Sequence, residues 1–475
     1  MPCVSCDALS DWRRPVRRFL VQKFGGTSLA TPEARRQAAR KVIGALDAGY
    51  QPVVVVSAIG RSGAPYATDT LVEQLRSIDP SFQPNPREMD VMMACGEIIS
   101  TAVMAVTLQS MGIPAVALSG GQAGIITDSE FGNARILEIH PHAIRNAAAR
   151  GEVAVVCGFQ GVTTITEENE HGHITTLGRG GSDTTASALG AALDAAAVEI
   201  YTDVDGVKTA DPDMVPDART LEVCTYEELA EITHLGAKVV HPRAAEIAAQ
   251  YGIPLWVKST FTNDAGTRIV AAEDAPEAVL RRVTGIAHSG KICYFRLEIA
   301  NKKHEPMVQQ EVFRLMSRAG INVFLVSFSE NSFAFAVNRE NYKVAQDLLD
   351  GMVVPVETDP EQRPASTFYI FRFADGLDLA YRSQRPLLGV VEGFIDVVDV
   401  PGTVFENLTM VSVVAGRHRQ VPGVMATIWE TLTEAGIPIH QIADSEMSVS
   451  CLVPENDADA AVRLLHDRFG LGQPQ

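Results

Sequence analysis

Residues 19–28 have the sequence FLVQKFGGTS, and this stretch decides the fold. Phe19–Gln22 is a short apolar run that ends at Lys23, and the turn that follows contains Gly25 and Gly26. Paired glycines let backbone N–H groups converge on an anion, and a neighbouring lysine adds positive charge. The stretch therefore predicts a buried strand followed by a turn that can hold a phosphate group.

The residues after this turn alternate between helical and strand patterns. Thr31–Glu33 is typical of a helix start, with a hydroxyl cap, a proline and an acid. Further buried strands are predicted at Pro52–Ser57, Ala115–Leu118, Val153–Phe159, Val198–Val204 and Pro254–Ser259, and helices at Arg87–Met111, Ser182–Ala196, Tyr226–His234 and Pro242–Tyr251. This alternation predicts a three-layer α/β sandwich around a mostly parallel sheet, with ligands at the carboxyl ends of the strands.

Two more glycine-rich turns follow predicted strands, at Ser119–Gly121 and Gly178–Asp183. A single such turn is often only a tight connection. Here Lys23 accompanies the first turn and Arg179 lies inside the third, so two turns of one domain carry a cation. Positioning and neutralisation of charge are what phosphoryl transfer requires.

The pattern changes after about Ala275. Val283–Met352 and Met410–Phe469 each fit the order strand, helix, strand, strand, helix, which predicts two ferredoxin-like βαββαβ units. Val283–Ala287 could complete the second unit, so that the repeats interleave. The predicted divisions are an N-terminal extension at 1–18, a catalytic domain at 19–275, a first unit at 283–352, an insertion or linker at 353–409 and a second unit at 410–475.

Composition limits the classes of function. The chain has 475 residues and a net charge of −18, which argues against a general nucleic-acid or anionic-membrane surface. No signal peptide is recognised and no stretch is expected to reach the length of a membrane span, so we expect a cytoplasmic protein. Of seven cysteines only Cys3 and Cys6 lie close together, and the others are expected to be reduced core residues.

Sequence motifs that are typical of other functions are incomplete or absent. Gly285–Lys291 spells G-x-x-x-x-G-K, but Ile292 stands where a magnesium-binding Ser or Thr is needed, so we treat the match as chance. No dinucleotide fingerprint, H-E-x-x-H sequence or paired C-x-x-C spacing is present, and no protein-bound metal site is predicted.

Seven strings in order resemble the aspartokinase branch of the amino acid kinase family, and the C-terminal repeats resemble its ACT domains. The strings are Lys23–Ser28, Val53–Ala58 with Thr68-Asp69, Cys95–Glu97, Gly158–Gly161, Thr175–Thr184, Tyr201–Pro212 and Gly236–Pro242. The resemblance extends from Phe19 to about Ile269 and implies phosphorylation of the side-chain carboxylate of L-aspartate by ATP with Mg²⁺.

The resemblance also implies roles for individual residues. Lys23 would reach the transferred phosphoryl group and Asp183 would hold Lys23. Arg179 would bind the α-carboxylate of aspartate and Glu97 its α-ammonium group, with Ser57 and Thr68 near the reacting carboxylate. The residues on the ATP side would be Lys23, Gly25, Gly26, Ser28, Thr202, Asp203, Lys208 and Lys238. His241 is assigned no role.

The implied ACT repeats suggest feedback by a pathway end product such as lysine, diaminopimelate or threonine, with Asn322, Ser329 and Ser445 as candidate effector residues. Such repeats usually pair across a dyad, so a homo-oligomer, a dimer or tetramer, is expected. A fused homoserine dehydrogenase is not expected.

Two positions depart from the family pattern. Asp213 follows Pro212 where an arginine is common, and Phe324 stands where an acidic residue often binds the amino group of the effector. Two alternatives therefore remain: an amino-acid sensor with impaired catalysis, and a sibling kinase acting on another carboxylate. The pairing of Glu97 with Arg179 favours a free α-amino acid as substrate.

Overall fold

The computed structural model describes residues 18–79, 81–164, 172–237, 239–276, 278, 281–299, 305–329, 332–350, 352–356, 366–375, 395–416 and 423–473. The chain forms two units. The first comprises the residues up to Thr209 together with Asp217–Thr284, and the second comprises Ala210–Pro216 and the residues from Gly285 onward.

An eight-stranded sheet forms the centre of the first unit. Its members are β1 (Phe19–Phe24), β2 (Gln51–Val56), β3 (Ala115–Leu118), β6 (Val153–Cys157), β9 (Val198–Thr202), β10 (Val223–Thr225), β11 (Leu255–Ser259) and β12 (Thr267–Val270). They lie in the order β10-β12-β11-β9-β1-β2-β6-β3. Every neighbouring pair is parallel except β11 with β12. The predicted mostly parallel sheet is confirmed.

In the part of the first unit that the structure describes, seven helices and a small sheet surround this central sheet. The helices are α1 (Pro32–Asp47), α2 (Thr68–Arg76), α3 (Pro86–Ser110), α4 (His142–Ala149), α5 (Gly181–Leu193), α6 (Tyr226–His234) and α7 (Pro242–Gln250). The second sheet joins β4 (Ile125–Thr127), β5 (Ile136–Ile139), β7 (Gln160–Thr163) and β8 (Ile174–Thr176) in the order β5-β4-β7-β8. This sheet and the helices α2 and α4 were not predicted from the sequence.

The sandwich arises because neighbouring residues of a strand point to opposite faces. Phe24, Val54 and Val56 pack with Val42 and Met104 of helices α1 and α3 on one face. The alternate residues of β1 and β2 face the other layer, where α5 packs against both strands and against α7. Lys23 belongs to this second set, so its side chain is directed toward α5.

Helix α3 is long and apolar enough to cross a membrane by length and composition alone. The expectation that no stretch approaches that length is therefore wrong. In its most apolar window 44% of the residues are buried inside the unit, and the helix carries the buried Asp90 and Glu97. The buried apolar residues of the helix, which include Ala94, Met104 and Leu108, account for its apolar character as a core helix.

A second sheet system forms the C-terminal unit. Its strands are β13 (Gly285–Glu298), β14 (Phe324–Ser329), β15 (Ser332–Asn338), β16 (Val353–Val356), β17 (Ser366–Asp375), β18 (Ile395–Val414), β19 (Gln441–Asp444) and β20 (Ser448–Pro454). The helices are α8 (Glu305–Arg318), α9 (Tyr342–Leu349), α10 (Val424–Glu434) and α11 (Ala458–Arg468). The order is β14-β15-β13-β18-β17-β16, and β20 pairs with both β18 and β19.

The long strands β13 and β18 join the two repeats. Gly285–Ser289 of β13 pairs with Met410–Val414 of β18, which also pairs with β20, and Ile292–Leu297 lies between β15 and the middle of β18. Strand β18 begins at Ile395, so the predicted boundary between residues 409 and 410 falls inside this strand. The G-x-x-x-x-G-K sequence at Gly285–Lys291 lies inside strand β13.

Candidate active site

Lys23 and Asp183 form an ion pair between the sheet and a helix. The Nζ atom of Lys23, near the end of β1, lies 2.6 Å from Oδ1 of Asp183 in the first turn of α5. The other carboxylate oxygen of Asp183 accepts a hydrogen bond from the backbone N–H of His241 at 3.2 Å. The pair is mostly buried, with 13% and 12% of the two side chains exposed. The lysine is thus held in one position at the carboxyl end of the sheet.

The turn before α5 requires glycine for steric reasons. Gly178 and Gly180 have φ angles of +74° and +70°, a left-handed conformation that side chains with a Cβ rarely adopt. A Cβ on Gly180 would lie 2.1 Å from Cγ of His241. The close approach lets the N-terminus of α5 open directly onto the site, where its free N–H groups favour an anion.

A cavity of about 700 Å³ lies over this helix end. It brings together the predicted catalytic and substrate residues, which are separated by up to 160 positions in the chain. These are Lys23, Ser57, Thr68, Glu97, Arg179 and Asp183. Arg179 is exposed, and no salt-bridge partner for it is found among the described residues, so its guanidinium is available to an anionic ligand.

Glu97 is buried in the wall of this cavity, with 2% of the residue exposed. Its Oε1 accepts a hydrogen bond from the backbone N–H of Ala58 at 2.9 Å, and its Oε2 has no partner among the described residues. Burial raises the pKa of this carboxyl to about 8. Glu97 is therefore not a solvated surface charge, and its Oε2 can accept a hydrogen bond from a cationic group.

Ser57 and Thr68 border the cavity from two further elements. Ser57 directly follows β2 and donates its backbone N–H to the carbonyl of Phe24 at 3.1 Å. Thr68 is the first residue of α2. Ser57 thus lies at the end of a strand and Thr68 at the start of a helix.

Other residues that line the cavity had not been selected from the sequence. They include Asp69, Arg76, Asp90 and Phe159. Phe159 has a φ angle of +67°, which is unusual for a bulky residue and marks strain at the site. No sequence motif identifies Arg76 or Asp90, because each depends on how α2 and α3 pack.

The residues predicted to bind ATP cluster around the ends of β1 and β9. Gly25 donates its backbone N–H to the carbonyl of Tyr201 at 3.4 Å, and Thr202 donates its hydroxyl to Asp203 at 3.0 Å. A Cβ on Gly26 would lie 2.4 Å from the carbonyl oxygen of Gly60, so the two turns touch through backbone. Apart from Lys23, none of the predicted ATP-binding residues that the structure describes lines the cavity just described.

Asp203, Lys208 and Ser28 have partners of their own. Asp203 forms an ion pair with Arg61, with 2.5 Å between the two charged groups. Arg61 was not selected from the sequence. Lys208 pairs with Asp205 at 2.9 Å. The side chain of Ser28 is fully buried and bonds to the hydroxyl of Thr260 at 2.7 Å, so in this conformation it supports the turn and has no exposed surface for a ligand. Lys238 lies outside the described residues.

The candidate effector residues lie in the second unit. Asn322 is exposed between α8 and β14. Ser329 is the last residue of β14 and Ser445 directly follows β19, and their hydroxyls contact those of Ser332 at 2.5 Å and Ser448 at 3.1 Å. Phe324 packs against an apolar cluster that contains Tyr294, Leu408 and Leu452, which explains why an uncharged residue is accommodated there.

In the described part of the first unit, no three His, Cys, Asp or Glu side chains converge closely enough to hold a metal ion by themselves.

Comparison with known proteins finds a family match for each of the two parts of the chain. Residues 18–259 match the amino acid kinase family and residues 404–467 match the ACT domain. The chain is similar to aspartokinase 1 of Bacillus subtilis, with 37% identity over 96% of this chain and 100% of that protein.

The fold is also similar to solved structures of E. coli aspartokinase III. The complex with aspartate and ADP, in the R-state, has a TM-score of 0.64 at 24% identity, over 95% of this chain and 99% of that chain. The complex with lysine and aspartate, in the T-state, has a TM-score of 0.64 at 23% identity over the same shares.

Proposed function

The chain belongs to the aspartokinase family, and we propose that it transfers the γ-phosphoryl group of ATP to the side-chain carboxylate of L-aspartate, giving 4-phospho-L-aspartate and ADP. One observation carries this proposal. A single cavity joins an anchored lysine, a helix N-terminus, an arginine and a buried glutamate, and neither the guanidinium of the arginine nor one oxygen of the glutamate has a partner among the described residues.

The chemistry calls for cations rather than for a base. A carboxylate with an ordinary pKa near ~4 is already ionised at neutral pH, so it can attack the γ-phosphorus without losing a proton. The barrier comes from bringing one anion to another. Lys23 and the N-terminus of α5 supply positive charge where the two anions meet, and they are fixed before the substrates arrive.

Glu97 and Arg179 account for selectivity. Arg179 can bind the α-carboxylate through two parallel hydrogen bonds. The unpaired Oε2 of Glu97 can accept from the α-ammonium group, which would stabilise the ionised carboxylate and lower its pKa from about 8. An N-acylated amino acid lacks that cation, so Glu97 would stay protonated and the ion pair would not form.

We assign the nucleotide to the turns at the ends of β1 and β9. Gly26 offers a backbone N–H group, whereas that of Gly25 donates to Tyr201 in this conformation. Thr202, Asp203 and Lys208 are proposed for the same side, together with Lys238, which lies outside the described residues. Because no protein cluster in the described part of this unit holds a metal alone, Mg²⁺ enters with ATP as part of the substrate, coordinated mainly by phosphate oxygens and water.

The ACT domain supports regulation by an amino acid. Lysine is a reasonable first effector to test because the similar E. coli enzyme has been solved with lysine, and threonine and diaminopimelate are the other candidates. We further propose a cytoplasmic homo-oligomer that catalyses the first step of aspartate-family amino-acid synthesis. Asn322, Ser329 and Ser445 are proposed effector contacts.

The test measures ADP release and traps the acyl phosphate with hydroxylamine, using ATP, Mg²⁺ and L-aspartate. Wild-type protein should give aspartate-dependent hydroxamate, and Lys23→Ala should not. Lys41→Ala is a matched control, since Lys41 lies on α1 and bonds to Asn263 at 2.9 Å outside the cavity. Hydroxamate with N-acetylated substrates but not with aspartate would favour the sibling kinase. Effector binding without any hydroxamate from a folded protein would favour the sensor.

A further inference from the structure

A buried carboxylate outside the assigned set connects three segments of the cavity wall. Asp90 lies on α3 and is fully buried. Its Oδ2 accepts hydrogen bonds from the backbone N–H groups of Thr176 at 2.8 Å and Gly132 at 3.0 Å, and its Oδ1 accepts from the hydroxyl of Thr176 at 2.7 Å. Helix α3, the turn at Gly132 and the end of β8 are thus held by one side chain.

These segments carry the residues that would recognise the substrate. Glu97 is seven residues after Asp90, so both lie on the same face of α3, two turns apart. Thr176 is the last residue of β8 and is followed within three residues by Arg179. Asp90 therefore connects the element that bears Glu97 with the strand that leads to Arg179.

The turn at Gly132 supports the same strand. The backbone N–H of Ala134 donates to the carbonyl of Thr176 at 2.8 Å. A Cβ on Gly178 would lie 2.9 Å from Oδ1 of Asn133, so the glycine turn packs directly on this segment. A shift of the Gly132 turn would consequently move the turn that contains Arg179.

Burial of the Asp90 carboxylate is energetically unfavourable, which indicates that its hydrogen bonds to Thr176 and Gly132 have a role. No lysine or arginine of the described chain pairs with this carboxylate, and its charge is compensated by three hydrogen bonds alone. Burial raises the pKa of the Asp90 carboxyl, while these hydrogen bonds oppose the rise. An apolar residue at position 90 would avoid the unfavourable burial of a charge, but it would release the turn at Gly132 and the end of β8.

We propose that Asp90 is a positioning residue that fixes the separation between Arg179 and Glu97, and so sets the affinity of the site for the α-amino and α-carboxylate groups of aspartate. This inference rests on the proposed function, because it assumes that those two residues bind aspartate. Asp90 acts through its neighbours and need not touch the substrate.

The experiment compares Asp90→Ala with Asp90→Asn in the full chain. Alanine removes all three hydrogen bonds, and we expect the KM for aspartate to rise at least tenfold while the KM for ATP changes less than threefold. Asparagine can still accept both backbone N–H groups and can donate to the hydroxyl of Thr176. It should keep the KM for aspartate within about threefold of wild type.

Two further variants separate positioning from stability. Thr176→Val removes only the hydroxyl and should give an intermediate rise in the KM for aspartate even if Asp90→Ala does not fold. Thr127→Val removes a buried hydroxyl bond of 2.5 Å to Thr175 in the same small sheet, outside the cavity lining. It should lower the Tm without raising that KM.

Calorimetric titration with aspartate alone provides a readout independent of turnover. A wild-type enzyme that binds and phosphorylates aspartate, with unchanged aspartate affinity in folded Asp90→Ala and in Thr176→Val, would overturn this inference and leave the proposed function intact. A wild-type protein that neither binds nor phosphorylates aspartate would overturn the proposed function itself.

Discussion

The Nζ atom of Lys23 lies 2.6 Å from Oδ1 of Asp183, although 160 residues separate them in the chain. The contact joins the end of the central strand β1 to the first turn of α5. Because Asp183 also accepts from the backbone N–H of His241, the carboxylate cannot turn away without breaking two contacts. Lys23 is thereby held at the helix N-terminus, where the transferred phosphoryl group would lie.

Lys23→Met should lower kcat for hydroxamate formation by about 10²–10³-fold, because it removes a preorganised cation from the transition state. Asp183→Asn should lower kcat less, since the lysine remains but is no longer fixed. The KM for aspartate should change little in either variant. A Lys23→Met enzyme with more than a tenth of wild-type kcat would contradict the role given to this lysine.

The architecture and this pair follow from the sequence for a simple reason. Parallel strands are buried on both faces, so they appear as continuous apolar runs such as β2 and β6, and glycine-rich turns mark their carboxyl ends. Residues in such turns, Lys23 and Asp183 among them, converge at one edge of the sheet. Local pattern therefore sufficed to select Lys23, whereas Asp183 was selected through the resemblance to the aspartokinase family.

Other parts of the site depend on contacts that no local pattern contains. Asp90 resembles any acid in the first turns of a helix until α3 packs against β8. Arg61 is exposed and becomes notable only through its ion pair with Asp203. The short strands β4, β5, β7 and β8 have three or four residues each, too few to show an alternation.

Gly180→Ala should disrupt the turn that contains Arg179. A left-handed alanine costs about 1 kcal/mol, and here the new methyl group would also collide with the ring of His241. We expect a loss of several degrees in Tm and a large rise in the KM for aspartate. Gly252→Ala is the matched control, because Gly252 has a φ of +62° and no atom near its Cβ position.

The double variant Gly180→Ala with His241→Ala tests the collision itself. Removing the ring should recover part of the Tm lost by Gly180→Ala, leaving only the conformational cost. Equal effects of Gly180→Ala and Gly252→Ala would show that the contact with His241 is unimportant.

Asp213→Arg should lower the KM for ATP about fivefold, because it replaces a negative charge with the cation that aspartokinases commonly have after this proline. Asp213 is exposed, and its backbone N–H donates to Asp211 at 2.9 Å, so the change should not disturb the turn. Asp213→Asn should have a smaller effect in the same direction. An unchanged KM for ATP in both variants would place position 213 away from the triphosphate.

Glu97→Gln should stabilise the protein at neutral pH. In the folded state the pKa of Glu97 is raised from 4.5 to about 8. As pH rises, Glu97 therefore loses its proton in the unfolded chain before it does so in the folded protein. The free energy of unfolding of the wild type thus falls between about pH 4.5 and pH 8. The stability difference between variant and wild type should be near zero at pH 4 and reach about 4 kcal/mol near pH 8. Urea unfolding at both values measures it. An equal difference at the two pH values would show that Glu97 does not titrate in this range.

The same carboxyl should make aspartate binding depend on pH. The free enzyme holds Glu97 largely neutral below about pH 8, whereas an α-ammonium group at Oε2 favours the ionised form. Binding therefore releases a proton, and the KM for aspartate should fall up to tenfold per pH unit between pH 6 and 8 before levelling off. Glu97→Gln should raise this KM at every pH and remove the slope. A wild-type KM that is constant from pH 6 to 8.5 would mean that Glu97 is already ionised, or that the ammonium group binds elsewhere.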